Sequence, residues 1–218
     1  MTSGKFITFE GGEGVGKSTQ ATLLLERLAQ RGIAAVTTRE PGGSAFAEQL
    51  RSFILDPQTL PHGAMAEALL FYAARADHLQ QTIRPSLAAG RWVVCDRFSD
   101  STRVYQGAAG GLPAAALEAL ERLVVGAQRP DLTLVLDLDP RAGLGRVGRR
   151  NPATPAQAEA DRFEGRGLDF HERLRAGYLA LAESEPQRCL VIDAARPPFE
   201  VAAAVWHAVE ARLLLGRH

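Results

Sequence analysis

The eight residues Gly11-Gly12-Glu13-Gly14-Val15-Gly16-Lys17-Ser18 match G-x-x-x-x-G-K-[ST] at every fixed position. No other stretch limits the fold so tightly, because the pattern works only between a strand and a helix. Phe6–Phe9 supplies a strand-like run on one side, and a helix-period segment opens at Lys17 on the other. Glycines let consecutive backbone N–H groups curl around a phosphate without Cβ clashes, and the helix N-terminus adds partial positive charge. Lys17 offers a point charge to β and γ oxygens, the Ser18 hydroxyl can complete a Mg²⁺ shell, and Thr19 continues the loop into the helix. The expected ligand is a nucleotide with Mg²⁺. Of 25 Lys and Arg residues only Lys5 and Lys17 are lysines, so Lys17 stands against a strong preference for arginine.

Short apolar runs and longer amphipathic segments alternate along the rest of the chain. Strands are expected at Lys5–Glu10, Ala34–Arg39, Arg91–Asp96, Leu132–Asp137 and Cys189–Asp193, several of them apolar on both faces as in a buried parallel sheet. Helices are expected at Lys17–Arg31, Ala45–Leu55, Ala64–Ala89, Pro113–Ala127, Asp169–Glu185 and Pro198–Leu215. Gly32, Gly90 and Gly126 fall where left-handed caps would end three of them. This alternation predicts an α/β fold of the P-loop NTPase type: a doubly wound, five-stranded parallel sheet with flanking helices, in a single domain over 1–218. A short lid is expected at about 143–166, where low-complexity Asn151–Ala160 is flanked by Arg146, Arg149, Arg150 and Arg162.

Composition mainly excludes. Apolar residues make up 46% and charged residues 23%, an ordinary globular balance. Equal numbers of acids and bases give zero net charge, which removes a general electrostatic case for nucleic acid or an anionic membrane. Runs such as Leu69–Ala74 and Leu132–Leu138 are too short to span a bilayer. Met1 leads into the first strand with no room for a signal peptide, and Cys95 and Cys189 sit where buried, reduced thiols are expected. The chain reads as soluble and cytoplasmic.

A phosphate loop specifies a nucleotide but not a reaction. No Asp has Gly three residues on and the only Asn is Asn151, so the elements of a GTPase are missing. Phosphoryl transfer to an acceptor, or ATP hydrolysis driving a partner, remains. Asp96-Arg97 ends the third strand, at the sheet edge that faces the ligand crevice. The acid can hold Mg²⁺ through water and the arginine can clamp a phosphate, although the two could equally form a structural ion pair. Arg39 ends the second strand at the same edge, where a solvated turn residue is the plainer alternative.

Several segments, taken in order, resemble the thymidylate kinase family over nearly the whole chain. They are 9–18, Thr38-Arg39-Glu40-Pro41-Gly42-Gly43, Leu69–Arg75, Asp96–Thr102 with Tyr105-Gln106-Gly107, Arg129–Thr133 and Asp161-Arg162-Phe163-Glu164. The resemblance implies transfer of the γ-phosphoryl of ATP to dTMP. It implies that Phe71 stacks on thymine and Arg75, one turn later, addresses the base edge; from the residues alone Phe71 would be a core aromatic. It implies that Arg39 and Arg97 hold the acceptor phosphate and that Tyr105 crowds the sugar 2′ position. Ser101, Thr102 and Gln106 would line the same pocket. Glu13 would reach the sugar 3′-OH, the alternative being a solvent-facing side chain. Gly14-Val15 carries no arginine, so the catalytic arginine would come from the lid, Arg149 or Arg150, with Arg146 over adenine. Members are usually homodimers, and apolar residues on both sides of Ala64–Ala89 allow that. His171 is expected on the surface or partly packed, since the reaction needs no general base. The rival readings are a kinase for dUMP or a free nucleoside, and an ATP-driven switch acting on a macromolecule.

Overall fold

The structure is a computed structural model that describes residues 4–60, 62–149, 163 and 165–215. Five parallel strands lie in the order β2-β3-β1-β4-β5: β1 Phe6–Glu10, β2 Ala35–Arg39, β3 Trp92–Asp96, β4 Leu132–Asp137 and β5 Cys189–Asp193. Each begins within one residue of its expected start. The three central strands are buried on both faces, which is why their sequences are apolar without alternation. Ile7, Phe9, Leu134 and Leu136 face one way, onto α1 (Lys17–Gln30) through Leu24 and Leu28. Phe6, Val93 and Cys95 face the other, onto α3 (Ala64–His78) through Ala68 and Tyr72. Cys95 and Cys189 are both free and buried.

The helix α2 spans Ala45–Leu55 as expected. The helix expected over Ala64–Ala89 is instead α3, a wider π-type turn at Leu79–Ile83, and α4 (Arg84–Ala88). α6 (Ala114–Val124) and α8 (Leu168–Ser184) follow expectation closely. α9 (Pro198–Val209) ends in another π-type turn, Glu210–Leu214. Among the described residues, two helices were not expected. α5 (Ser99–Thr102) runs into a π-type turn at Arg103–Ala108, and α7 covers Pro140–Gly148. α7 starts with Asp139 accepting from the Arg141 and Ala142 backbone N–H groups and Pro140 in the first turn. The start of the expected lid is therefore helical; Arg150, Arg162 and Asn151–Ala160 lie outside the described residues.

Topology brings the chemistry together. β1 lies between β3 and β4, with Phe9 paired to Asp96. The phosphate loop after β1 thus sits beside the Asp96-Arg97 turn, where Arg97 N donates to Phe9 O at 2.9 Å. Glu40 N donates to Asp96 O at 2.9 Å and brings the end of β2 to the same edge.

Candidate active site

One cavity of about 750 Å³ crosses the carboxyl edge of the sheet. Glu13–Gln20 of the loop and α1 line its middle. Arg146, Ala194, Arg196, Pro198 and Val201 line one end, and Arg39, Arg51, Phe71, Ser101, Thr102, Tyr105 and Gln106 the other. A Cβ on Gly14 would collide with the backbone carbonyl of Gly143, and φ there is 67°. Loop and α7 therefore meet backbone to backbone, which sets Arg146, one turn on, at the cavity wall with its Nη1 donating to Ala194 O at 3.2 Å.

Lys17 is only 8% exposed and its Nζ donates to Gly11 O at 3.2 Å and Gly12 O at 2.7 Å. Burial, helped by Arg97, lowers its pKa to about 8 against the opposing pull of Glu13 and Asp96. Ser18 Oγ donates to Asp96 Oδ2 at 2.6 Å. That hydroxyl and carboxylate, both on the cavity wall, are the hard oxygen donors a Mg²⁺ ion takes, so the residues fit the ion that ATP carries.

Arg97 is the hub. Its Nη1 donates to Gly11 O, Ser101 Oγ and Tyr178 OH at 3.0, 3.2 and 3.2 Å, and its Nη2 to Glu13 Oε1 at 2.8 Å. The backbone has φ of 68°, unusual for a residue with a side chain. Phe98 N donating to Glu10 Oε1 at 2.8 Å holds the turn. Arg97 thus pairs with Glu13, not with its neighbour Asp96. Burial would raise the Glu13 carboxyl, but Arg97, Lys17 and the Tyr105 hydroxyl, which donates to it at 2.5 Å, lower it to about 2. Glu13 is therefore an ionised carboxylate inside the cavity, not a solvent-facing one.

Comparisons with known proteins bear on this site. The thymidylate kinase family model matches residues 9–205. A thymidylate kinase of Rhodopseudomonas palustris (strain BisB18) is 52% identical over 217 residues, 99% of this chain and 93% of the relative. That of Caulobacter vibrioides is 51% identical over 213 residues, 98% of this chain and 99% of the relative. The chain belongs to the thymidylate kinase family. A crystal structure of the Ehrlichia chaffeensis thymidylate kinase superposes with a TM-score of 0.76 at 31% identity, covering 95% of this chain and 99% of that one. Thymidylate kinases are nucleoside monophosphate kinases, phosphotransferases that move a phosphoryl group from ATP to dTMP. No described helix is long and apolar enough to cross a membrane.

Seen as a thymidylate kinase site, most of the expected residues converge. Glu13 through Thr19, Arg39, Phe71, Asp96, Arg97, Ser101, Thr102, Tyr105, Gln106 and Arg146 line the cavity. Gly11 and Gly12 lie just behind it, along a second, small cavity. Arg39 ends the edge strand exposed, its Nη2 on Glu48 Oε2 at 3.0 Å. Phe71 packs against Phe163 with ring centroids 6.0 Å apart. Arg75, 1% exposed, stands behind the wall and reaches it through Thr102. Arg149 does not reach the cavity wall: it is exposed and its Nε folds back on Gly145 O at 3.1 Å. His171 corrects an expectation, being 4% exposed with Nε2 unpaired, beside the small cavity behind the loop.

Sequence reasoning passed over Arg51 and Glu10. Arg51 lines the acceptor end and donates to Pro41 O at 2.7 Å, but one arginine among so many carries no mark. Glu10, fully buried, accepts from Ser101 Oγ at 2.6 Å and Tyr178 OH at 3.1 Å. Burial and then the charge of Asp100 raise its pKa from 4.5 to about 7. The native chain then binds more protons than the unfolded one between those values, so this group's contribution to stability falls as pH rises through that window. Urea unfolding at pH 5, 6 and 7 should show a flatter pH slope for Glu10→Gln than for the unchanged chain. Equal slopes would show that Glu10 titrates normally.

Proposed function

We propose that this chain phosphorylates dTMP at the expense of ATP, with the donor at the Arg146 end of the cavity and the acceptor at the Phe71 end. The observation that carries the assignment is the continuity of one cavity from the phosphate loop to a wall formed by Phe71, Thr102, Tyr105 and Gln106, with Arg75 directly behind Thr102. Arg75 Nη1 and Gln106 Oε1 are buried without a partner. Gln106 Nε2 donates to Glu67 Oε1 at 2.8 Å, which fixes Oε1 as the free acceptor. A spare donor and a spare acceptor at the same end of the cavity suit O4 and N3–H of thymine, and are the opposite of what cytosine needs. Leaving either unpaired in a buried site is costly, which is what makes it selective.

In the mechanism that follows, the loop N–H groups and Lys17 hold the β and γ phosphates. Ser18 and Asp96 would hold Mg²⁺, which would supply neutralising charge to the phosphate oxygens. Arg97, Arg39 and Ser101 hold the acceptor phosphate. Both arginines already face carboxylates, Glu13 and Glu48, so a phosphate dianion exchanges one anion for another and finds the guanidinium groups in place. The acceptor oxygen is ionised near neutral pH and needs no base, so catalysis is alignment plus charge neutralisation. Glu13 accepts from the sugar 3′-OH, and the Tyr105 ring closes the 2′ side. Arg146 lies over adenine, and the further charge expected from Arg149 or Arg150 does not come from Arg149 in the position described, where it folds back on Gly145 O. The chain works as one domain in the cytoplasm, a setting that suits two buried free thiols. Two copies pair through the α2–α3 face, where exposed Phe46, Phe53, Met65 and Leu69 supply apolar surface.

ADP release should be fast with Mg-ATP and dTMP and slow with dCMP, thymidine or no acceptor. In the same assay Tyr105→Ala should narrow the preference for the deoxyribose over the ribose monophosphate by about tenfold. Equal ATP consumption without acceptor would leave the loop assignment standing and remove the kinase.

A further inference from the structure

The wall behind the base-reading end is built from buried polar groups that phosphoryl transfer does not use. Thr38 Oγ1 lies 2.6 Å from His78 Nε2, and His78 Nδ1 lies 3.0 Å from Glu40 Oε1. The other carboxylate oxygen, Glu40 Oε2, accepts from Arg75 Nε at 2.7 Å, and Arg75 Nη2 donates to Thr102 Oγ1 at 3.0 Å. His78 is 0% exposed, Arg75 1% and Glu40 5%.

The chemistry of this run fixes its direction. An ionised carboxylate only accepts, so His78 Nδ1 carries the hydrogen toward Glu40 whatever the state of Nε2. Each Glu40 oxygen then has a separate donor, and the carboxylate cannot turn. Two of the three guanidinium nitrogens of Arg75 are committed in turn, which leaves Nη1 as the unpaired one. The backbone is shaped around the imidazole. Gly43 has φ of 84°, and a Cβ there would collide with His78 Nε2 and Thr38 Oγ1. His78 stands three residues after Arg75 on the same face of α3, and the π-type turn begins directly after it.

We infer that His78 is a positioning residue for base recognition, acting through Glu40 to aim Arg75 at the edge of the acceptor base. The inference rests on the reading that Arg75 addresses that edge. Without the imidazole, Glu40 Oε1 loses its donor in a buried place and the carboxylate is free to turn, carrying Arg75 Nε with it. The loss falls on binding and base selection, since none of these groups touches the transferring phosphoryl.

The test compares His78→Leu, His78→Asn and Arg75→Ala by steady-state kinetics and by calorimetric Kd values for dTMP and dCMP, with melting curves beside them. His78→Leu should raise the KM for dTMP about tenfold, hold kcat within about threefold, and lower the dTMP-over-dCMP affinity ratio about tenfold, the size of one lost charge-assisted hydrogen bond. The KM for ATP should not move. His78→Asn, whose side-chain NH₂ can stand where Nδ1 stood, should restore most of the ratio; a simple packing role would be met as well by Leu. If His78→Leu does not fold, His78→Gln replaces it, and its ratio must fall while that of His78→Asn holds. An unchanged ratio in the His78 variants while Arg75→Ala lowers it overturns the inference and leaves the reading of Arg75 intact. If Arg75→Ala also leaves the ratio unchanged, that reading fails and the role of His78 goes with it.

Discussion

Lys17→Ala should lower turnover by a factor on the order of 10² or more and leave the fold intact. Lys17 is the one ammonium group on the cavity wall, set at the first residue of α1 with its head group on the carbonyls of Gly11 and Gly12. The guanidinium of Arg97 faces Glu13 and the acceptor end, so it is already committed there and does not replace the ammonium. The loss should therefore appear in kcat, where charge on the transferring group is greatest. Stability should change little, because alanine favours helix and Gly11 O keeps the Arg97 Nη1 donor. Circular dichroism and a coupled ADP assay on the same sample decide the matter. Near-normal turnover would sink the phosphate-loop assignment.

Arg97→Ala should have the largest combined effect. It removes donors from Gly11 O, Ser101, Tyr178 and Glu13 together. Glu13 would be left as a mostly buried carboxylate without the guanidinium that does most to hold its pKa near 2. Stripping one partner from such a pair costs about 3 kcal/mol, near the lower end for buried pairs because both side chains keep some exposure. The expected result is a lower urea midpoint together with a loss of dTMP turnover of about 10²-fold or more. Arg97→Lys should recover stability better than turnover, since an ammonium restores charge but not the fork that grips a phosphate. A variant with unchanged stability and a normal KM for dTMP would remove Arg97 from the acceptor site.

The strands were legible because a buried parallel strand must be apolar on both faces, and such a run is hard to write by accident. The helix at Ser99–Thr102 was not. Ser, Asp and Thr favour turns when read locally, and here Asp100 is held by Arg188 through two hydrogen bonds of 2.6 and 2.8 Å from 88 residues away. Phe71 was ambiguous for a similar reason. A core aromatic and a stacking platform share one helical spacing, and only its place on the cavity wall separates them.

By itself the sequence determined the phosphate loop, the strand–helix alternation and the residue types at the sheet edge, because these follow from local stereochemistry and short-range periodicity. Only the tertiary structure decided that Arg97 turns to Glu13 and not to Asp96, that Glu10 is a buried hub, that His171 is enclosed, and that Thr38, His78 and Glu40 stand behind Arg75. Glu13 and Arg97 are 84 residues apart, and Arg75 and Glu40 35 apart. A carboxylate's partner is set by which loops the sheet order brings together, and no spacing along the chain encodes that.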